Sequence, residues 1–305
     1  MAVRNSTIKP AGSLFGRSQT EIDLALSQRE DVTCPLCHTT PELFAVDFQG
    51  LNLARCSTCG LEFQSPRPTF GDLTRAVYGA SYHTSKEKLI GVARRYQFAR
   101  QVHRLEQYIS GTRRRVLDVG CGAGAFIRFA TERGWEIEGT DIVINADACT
   151  TGARLWAGQL PAIEFGDTSF DVVRFNHVLE HTQDPLAELR RARSLMVDGG
   201  ILHVGVPNLA GLNAQLKSWQ SRLRLKGKPW KHYGALHHLW FFTPATLTRL
   251  VTVAGFEVLD WETPVMDRSG RPHLVTVIMR GFLEKILAGG ILDLYARVKM
   301  GSAKS

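Results

Sequence analysis

An apolar run, Val116 to Val119, gives way to glycines at 120, 122 and 124, and then to a helical pattern that stops at Gly134. Trp135 to Thr140 is apolar enough for a second strand and ends on Asp141. Further strand-like runs lie near 170–175, 200–206, 256–261 and 273–280. Between them Asp184 with Pro185 and Thr243 with Pro244 start helices, and Gly255 ends the second of these by ordinary capping chemistry. Only residues 142 to 157 separate Asp141 from Gly158, so the helix between the second and third strands is expected to be short. Alternating strands and helices with right-handed crossovers predict an α/β fold: a Rossmann-like, seven-stranded, mostly parallel sheet with helices on both faces. The last two strands, joined through residues 267–272, are expected to form an antiparallel hairpin. The amphipathic residues 283–305 read as a C-terminal helix and tail packed on the sheet.

The front of the chain has another character. Cys34 and Cys37, then Cys56 and Cys59, form two Cys-x-x-Cys pairs with 18 residues between them, the spacing of a four-cysteine zinc ribbon. Gly60 permits the positive φ that such a turn needs. Four thiolates close the coordination sphere and leave no position for water, so the implied Zn2+ is structural. The competing reading is four buried free thiols, and His38 is surplus to a complete ligand set. The expected organisation is a flexible tail at 1–30, a zinc ribbon at 31–66 and a helical, substrate-side linker at 67–112. A main domain at 113–282 follows, with an insertion at 209–242, and then the C-terminal helix and tail.

Composition narrows the class. Hydrophobic residues make up 44% and charged residues 22%, near the average for folded soluble proteins and unlike either a disordered chain or a membrane bundle. No window reaches the ~20 apolar residues of a bilayer span, and no signal-peptide core precedes residue 30, so the expected location is cytoplasmic. The net charge of +8 is local in origin. From Gly199 to Phe256 there is no Asp or Glu, while Lys217, Arg222, Arg224, Lys226, Lys228, Lys231 and Arg249 are all basic. Within that stretch Leu212, Leu216, Trp219 and Leu223 recur at helical spacing. Such a basic amphipathic helix suits a peripheral membrane surface, a nucleic acid, or a lid over an anionic small-molecule substrate. A plain solvated face is the bland alternative.

A glycine loop after a first strand accepts a pyrophosphate in dinucleotide binders. Here Asp118 stands just before the loop, where it would repel phosphate and favour a cationic ligand. The pattern D-x-G-x-G-x-G at 118–124, with Asp141 closing the next strand, resembles class I S-adenosylmethionine-dependent methyltransferases. The stretch "SFDVVRFNHVLEHTQDPLAELRRARSLMVDGGILHVGVPN" is similar to that family's fourth strand, helix and fifth strand, and "FTPATLTRLVTVAGFEV" to its late helix and sixth strand. The cysteine pairs followed by "GLEFQSPRPTFGDLTRAVYGASYH" resemble a bacterial subgroup acting on sugars and secondary metabolites. The resemblance implies S-adenosylmethionine as cofactor, with Asp118, Gly120, Gly122, Gly124, Asp141 and Asn176 around it and Gln159 near the adenine. It implies O- or C-methylation of a small acceptor.

Methylating a hydroxyl or a carbon acid requires a base. His238 matches the histidine of the subgroup's Glu-His-Leu element, His237 replaces the glutamate, and His177 is the other candidate. Tyr78, Tyr82 and His83 stand where the subgroup folds over substrate. "HVLEH", His177 to His181, also fits the H-x-x-E-H pattern of one metalloprotease class, but it follows a strand rather than lying on a continuous helix. A divalent ion on His177, Glu180 and His181 is a further reading of these ligand types. Two other classes stay open: an RNA-base methyltransferase whose ribbon grips RNA, against which stands the lack of an Asn/Asp-Pro-Pro-aromatic signature, and a non-catalytic cofactor-binding scaffold.

Overall fold

The structure is a computed structural model that describes residue 23 and residues 26–77, 92–264 and 289–299. Tyr78, Tyr82, His83 and the strand expected at 273–280 lie outside the described residues, as do most of residues 1–30. Strands run in chain order β1 (Arg29–Glu30), β2 (Glu42–Val46), β3 (Asn52–Arg55), β4 (Glu62–Phe63), β5 (Arg67–Pro68), β6 (Arg115–Val119), β7 (Glu136–Asp141), β8 (Leu155–Ala157), β9 (Phe170–Asn176), β10 (Met196–Pro207), β11 (Trp240–Phe241), β12 (Phe256–Glu262) and β13 (Ile291–Val298). The helices used below are α1 (Phe70–Ala76), α2 (Val92–Tyr108), α3 (Ala125–Thr131), α4 (Ala146–Cys149), α5 (Pro185–Ser194), α6 (Leu212–Arg222) and α7 (Pro244–Val253).

Seven strands form the main sheet in the order β12-β13-β10-β9-β6-β7-β8, with β13 antiparallel to both neighbours. Pleating sends successive residues to opposite faces. Val116, Val172, Ile201 and Tyr295 thus join Phe98 of α2 and Phe126 and Phe129 of α3 on one face, while Leu117, Val173, Leu202 and Leu294 join Leu189 of α5 and Leu250 of α7 on the other. The chain leaves β6 toward β7 and β8, then returns to β9 on the other side of β6. Strand order therefore reverses between β6 and β9, and the crevice outside the C-terminal strand ends at such a point is where open α/β sheets bind ligands. Among the described residues no helix is long and apolar enough to cross a membrane.

One expectation is corrected. Residues 291–298 are a strand, not part of a C-terminal helix, and this strand fills the penultimate position in the sheet. Ile291, Leu294, Tyr295 and Val298 satisfy a helical period, which made the helix reading reasonable. Pairing with β10 on one side and β12 on the other, with burial on both faces, overrides that local period.

The cysteine-rich segment builds a second, antiparallel sheet, β11-β4-β3-β2, whose edge strand β11 comes from the far end of the basic insertion. The ribbon is thereby joined to the insertion. Gln64 N–H donates to Leu239 O at 3.0 Å, its side-chain amide donates to the carbonyls of Ala235 and His238, and Tyr233 donates to Glu62 at 2.7 Å. Phe44 packs edge-on against Trp230.

Candidate active site

The loop after β6 is built from positive-φ glycines: Gly120 (68°), Gly122 (54°) and Gly124 (73°). A Cβ on Gly120 would overlap Val178, and one on Gly124 would lie 2.8 Å from Thr151 and 3.2 Å from the backbone of Ala148. Glycine is required at both for conformation and for space. The loop is pinned to the next strand, since Cys121 N–H donates to Thr140 O and Gly122 N–H donates to Asp141 Oδ2, both at 2.9 Å. Asp141 thus stands at the C-terminal end of β7, beside the loop. Gln159 follows β8 on the same edge, where Gly158 N–H donates to Asp141 O at 2.9 Å. The helix α4 between them is four residues long, as its short stretch of sequence implies.

Asp118 is not an open anion facing the crevice. It is buried, and Arg174, its register partner on β9, donates to it at 2.6 Å. Burial raises the Asp118 carboxyl pKa, and the Arg174 guanidinium opposes the shift. From Arg174 the network continues through Gln101 of α2, whose side-chain oxygen accepts at 2.9 Å and whose amide donates to Asn176 Oδ1 at 3.0 Å. Asp293 of β13 accepts from Arg100 at 3.1 Å and lies 3.2 Å from His203 Nε2. Gly205 sits between: a Cβ there would approach Asp293 Oδ1 at 2.7 Å and Asn176 Oδ1 at 2.9 Å. Asn176 is therefore oriented from beneath, at the end of β9. The sequence reading missed Gln101, Arg174, His203 and Asp293. Charged or polar residues inside otherwise apolar strand runs are the signal that could have marked Arg174 and Asp293.

Past Asn176 the chain turns sharply. His177 takes a left-handed φ of 57°, unusual for a residue with a side chain, and its N–H donates to Gly205 O at 2.7 Å. Its imidazole is 39% exposed, and Nδ1 lies 3.3 Å from Oε1 of Glu180, whose side chain is 1% exposed. Burial would lower the His177 pKa, but the Glu180 carboxylate outweighs it and leaves the group raised above its ordinary 6.5. Glu180 is itself held down to about 2 by the imidazoles around it, despite burial.

His238 is placed otherwise. Its Nδ1 lies 2.8 Å from Tyr233 O, and because a carbonyl only accepts, Nδ1 carries the proton. Burial, aided by His181, lowers its pKa to about 4, and burial together with His238 lowers His237 to about 3. His181 Nδ1 donates to His237 O at 2.6 Å, and the His181 and His238 rings are 4.9 Å apart. The ligand-type atoms that converge here, within 4.8 Å of one another, belong to Glu180, His181 and His238, so His177 is not part of that group.

The sulfurs of Cys34, Cys37, Cys56 and Cys59 also lie within 4.8 Å of one another, and none is in a disulfide. Tetrahedral zinc thiolates sit about 3.8 Å apart for Zn–S bonds of about 2.3 Å, so the donor set and its size fit one ion. The two halves repeat one turn. His38 N–H donates to Cys34 O at 2.8 Å and Gly60 N–H to Cys56 O at 2.9 Å, with φ of 56° at His38 and 75° at Gly60. Burial raises the Cys34 thiol, whereas hydrogen bonds from Thr39 and backbone N–H groups outweigh burial at Cys56 and lower it to about 6.

A family model described as a methyltransferase domain matches residues 92–260. Among curated relatives, the ubiquinone biosynthesis O-methyltransferase of Aeromonas salmonicida is 30% identical over 156 residues, 48% of this chain and 64% of that protein. Its counterpart in Azorhizobium caulinodans is 32% identical over 167 residues, 50% of this chain and 62% of the relative. The matches thus span a little under two thirds of these relatives. The fold resembles the Burkholderia thailandensis 1,6-didemethyltoxoflavin-N1-methyltransferase, solved with 1,6-didemethyltoxoflavin and S-adenosylhomocysteine, at a TM-score of 0.54 and 18% identity, covering 85% of this chain and 99% of that one. With more than half of its length matched to that domain, and with the strand order and glycine loop to suit, this chain belongs to the methyltransferase-domain family and carries its class I, Rossmann-like fold.

Proposed function

We propose that this protein transfers the methyl group of S-adenosylmethionine to an oxygen or an acidic carbon of a small-molecule acceptor: a sugar, a nucleotide-linked sugar or a secondary metabolite. The observation that carries the reading is the adjacency of the Gly122–Asp141 contact to the exposed His177 and its Glu180 partner, all on one edge of the sheet at the reversal of strand order. The cofactor supplies an electrophilic methyl group on a sulfonium. Asp141, held in place by the Gly122 N–H, would accept hydrogen bonds from the ribose hydroxyls, and Gln159 and Asn176 would hold the adenine and the reacting end. Asp118 acts from below, fixing the loop through Arg174 rather than touching the ligand.

His177 is the better of the two candidate bases. Its Nδ1–H is directed at Glu180, so Nε2 is the lone-pair nitrogen that would take the acceptor's proton as the acceptor attacks the methyl carbon and the carbon–sulfur bond breaks, its electron pair leaving on the sulfur of S-adenosylhomocysteine. Glu180 then stabilises the imidazolium, as a carboxylate does in other His–carboxylate pairs. His238, lowered to about 4, is a weak base and, packed against His181 and bonded through its carbonyl to Gln64, forms the ribbon-side wall of the site. The names of the relatives favour oxygen as the acceptor atom. A structural Zn2+ held by Cys34, Cys37, Cys56 and Cys59 completes the proposal, stiffening the ribbon on which the wall is mounted. Incubation of metabolite extracts with isotope-labelled cofactor tests it. Labelled products are expected with wild type and lost with His177→Ala, whereas intact cofactor binding without any product would favour a non-catalytic role.

A further inference from the structure

The helix α6 is turned the wrong way round for an ordinary surface helix. Leu212, Leu216, Trp219 and Leu223 fall at i, i+4, i+7 and i+11, which places them on one narrow stripe. They are 55%, 53%, 55% and 51% exposed, and Leu225 beyond the helix is 63% exposed. Five of the nine large apolar side chains exposed among the described residues lie in this one segment, so the patch is concentrated and not scattered. The opposite, small and polar side faces the protein. Ser218 hydroxyl bonds His232 Nε2 at 2.8 Å, and Ser221 hydroxyl accepts from Trp230 N–H at 3.0 Å, with both serines buried. The outward direction of the stripe is therefore fixed by polar bonds behind it.

Along the segment that carries the stripe the side-chain charge is of one sign. Lys217, Arg222, Arg224, Lys226, Lys228 and Lys231 belong to a stretch of 58 residues, Gly199 to Phe256, without a single carboxylate side chain. We infer that α6 and the turn after it dock on an anionic lipid bilayer, the leucines and Trp219 entering the acyl boundary while the basic residues meet the headgroups. Charge complementarity selects this occupant. A second copy on a twofold axis would set the same basic segment against itself, because such an interface uses one patch twice. A nucleic acid would satisfy the basic residues but offer no apolar phase to the leucines. The inference is independent of the methyl-transfer reading. It would bring the inner side of the insertion, which carries His237 and His238, close to the membrane surface.

The test is co-sedimentation of the full-length, zinc-loaded protein with vesicles of phosphatidylcholine, or of phosphatidylcholine mixed with phosphatidylglycerol. Binding is expected to the mixed vesicles, falling at least tenfold without the anionic lipid or in high salt. The double variant L216E/W219E and the double variant R222E/R224E should each lose at least tenfold, with unfolding temperatures close to wild type because these side chains are exposed. Equal sedimentation of wild type and both variants, or none by wild type, would overturn the inference. So would lipid-free dimerisation abolished by L216E/W219E, which would make the stripe an interface between copies, or oligonucleotide binding that ignores L216E/W219E and outcompetes vesicles.

Discussion

Asp118 and Arg174 are register partners on β6 and β9, and their side chains meet at 2.6 Å with less than a twentieth of either exposed. A carboxylate that reads in sequence as a lure for a cationic ligand is instead one half of a buried ion pair under the glycine loop. The same guanidinium stacks on Phe126 at 3.8 Å and holds Gln101, so it joins α2, α3 and the sheet.

Removing one partner of a buried pair strands the other charge. Arg174→Met is therefore expected to cost ~3–5 kcal/mol in urea unfolding, with much of the loss recovered when Asp118→Leu is added. A single variant within ~1 kcal/mol of wild type would show that the pair contributes little to the stability of the sheet under the glycine loop.

The base assignment separates by pH. The His177 pKa is raised by Glu180, so the rate should climb with pH through a value above ~6.5, the imidazole being protonated and idle below it. His177→Gln should lose that limb and ~10²- to 10⁴-fold in single-turnover rate. His238→Gln should retain the limb. A rise centred near the value of about 4 of His238 would move the role to that residue.

Stability has its own pH window. His237 and His238 are held at about 3 and about 4, below the ~6.5 of an unfolded chain. Between those values the unfolded state binds more protons, so the contribution of these two imidazoles is full above ~6.5 and falls as pH drops toward 4, by at most ~1.4 kcal/mol per pH unit per imidazole, whereas His177, raised above ~6.5, contributes with the opposite sign. Glu180, held at about 2, adds its loss only below ~4.5. Denaturant midpoints from pH 7.5 to 4 should follow this slope, and His238→Gln should flatten it.

The ribbon supports the wall through backbone bonds: Gln64 N–H to Leu239 O at 3.0 Å, and Leu239 N–H to Glu180 O at 2.7 Å. Cys56→Ser or stripping of zinc should accelerate hydrogen exchange across 231–243 at least tenfold while leaving 115–141 unchanged. An unchanged 231–243 peptide in zinc-free protein would disconnect ribbon and wall.

What sequence reveals here is what local geometry demands. Gly120, Gly124 and Gly60 are required by a positive φ, a demand set by a few residues of backbone, and the cysteine spacing by the reach of a turn, so each could be read in place. The Gln101–Asp293 contact spans 192 positions and the Gln64–His238 contact 174, and no local pattern announces either. Ile291–Val298 misleads because its buried residues fit two periods at once, and only the neighbouring strands choose between them. The base was ambiguous for a related reason. His177 and His238 are equivalent as letters, and what separates them is a carboxylate within hydrogen-bond reach of one ring and burial, with a neighbouring imidazole, depressing the other.

The methyl-transfer proposal stands on a cofactor site formed by the glycine loop and Asp141, which titration calorimetry with S-adenosylmethionine probes without need of an acceptor. One molecule should bind per chain, and Asp141→Ala should weaken it at least tenfold, the ~1.4 kcal/mol expected for lost hydrogen bonds to a charged acceptor. Absence of binding by the wild-type protein would remove the cofactor site, and equal affinity in the Asp141→Ala variant would remove Asp141 from it.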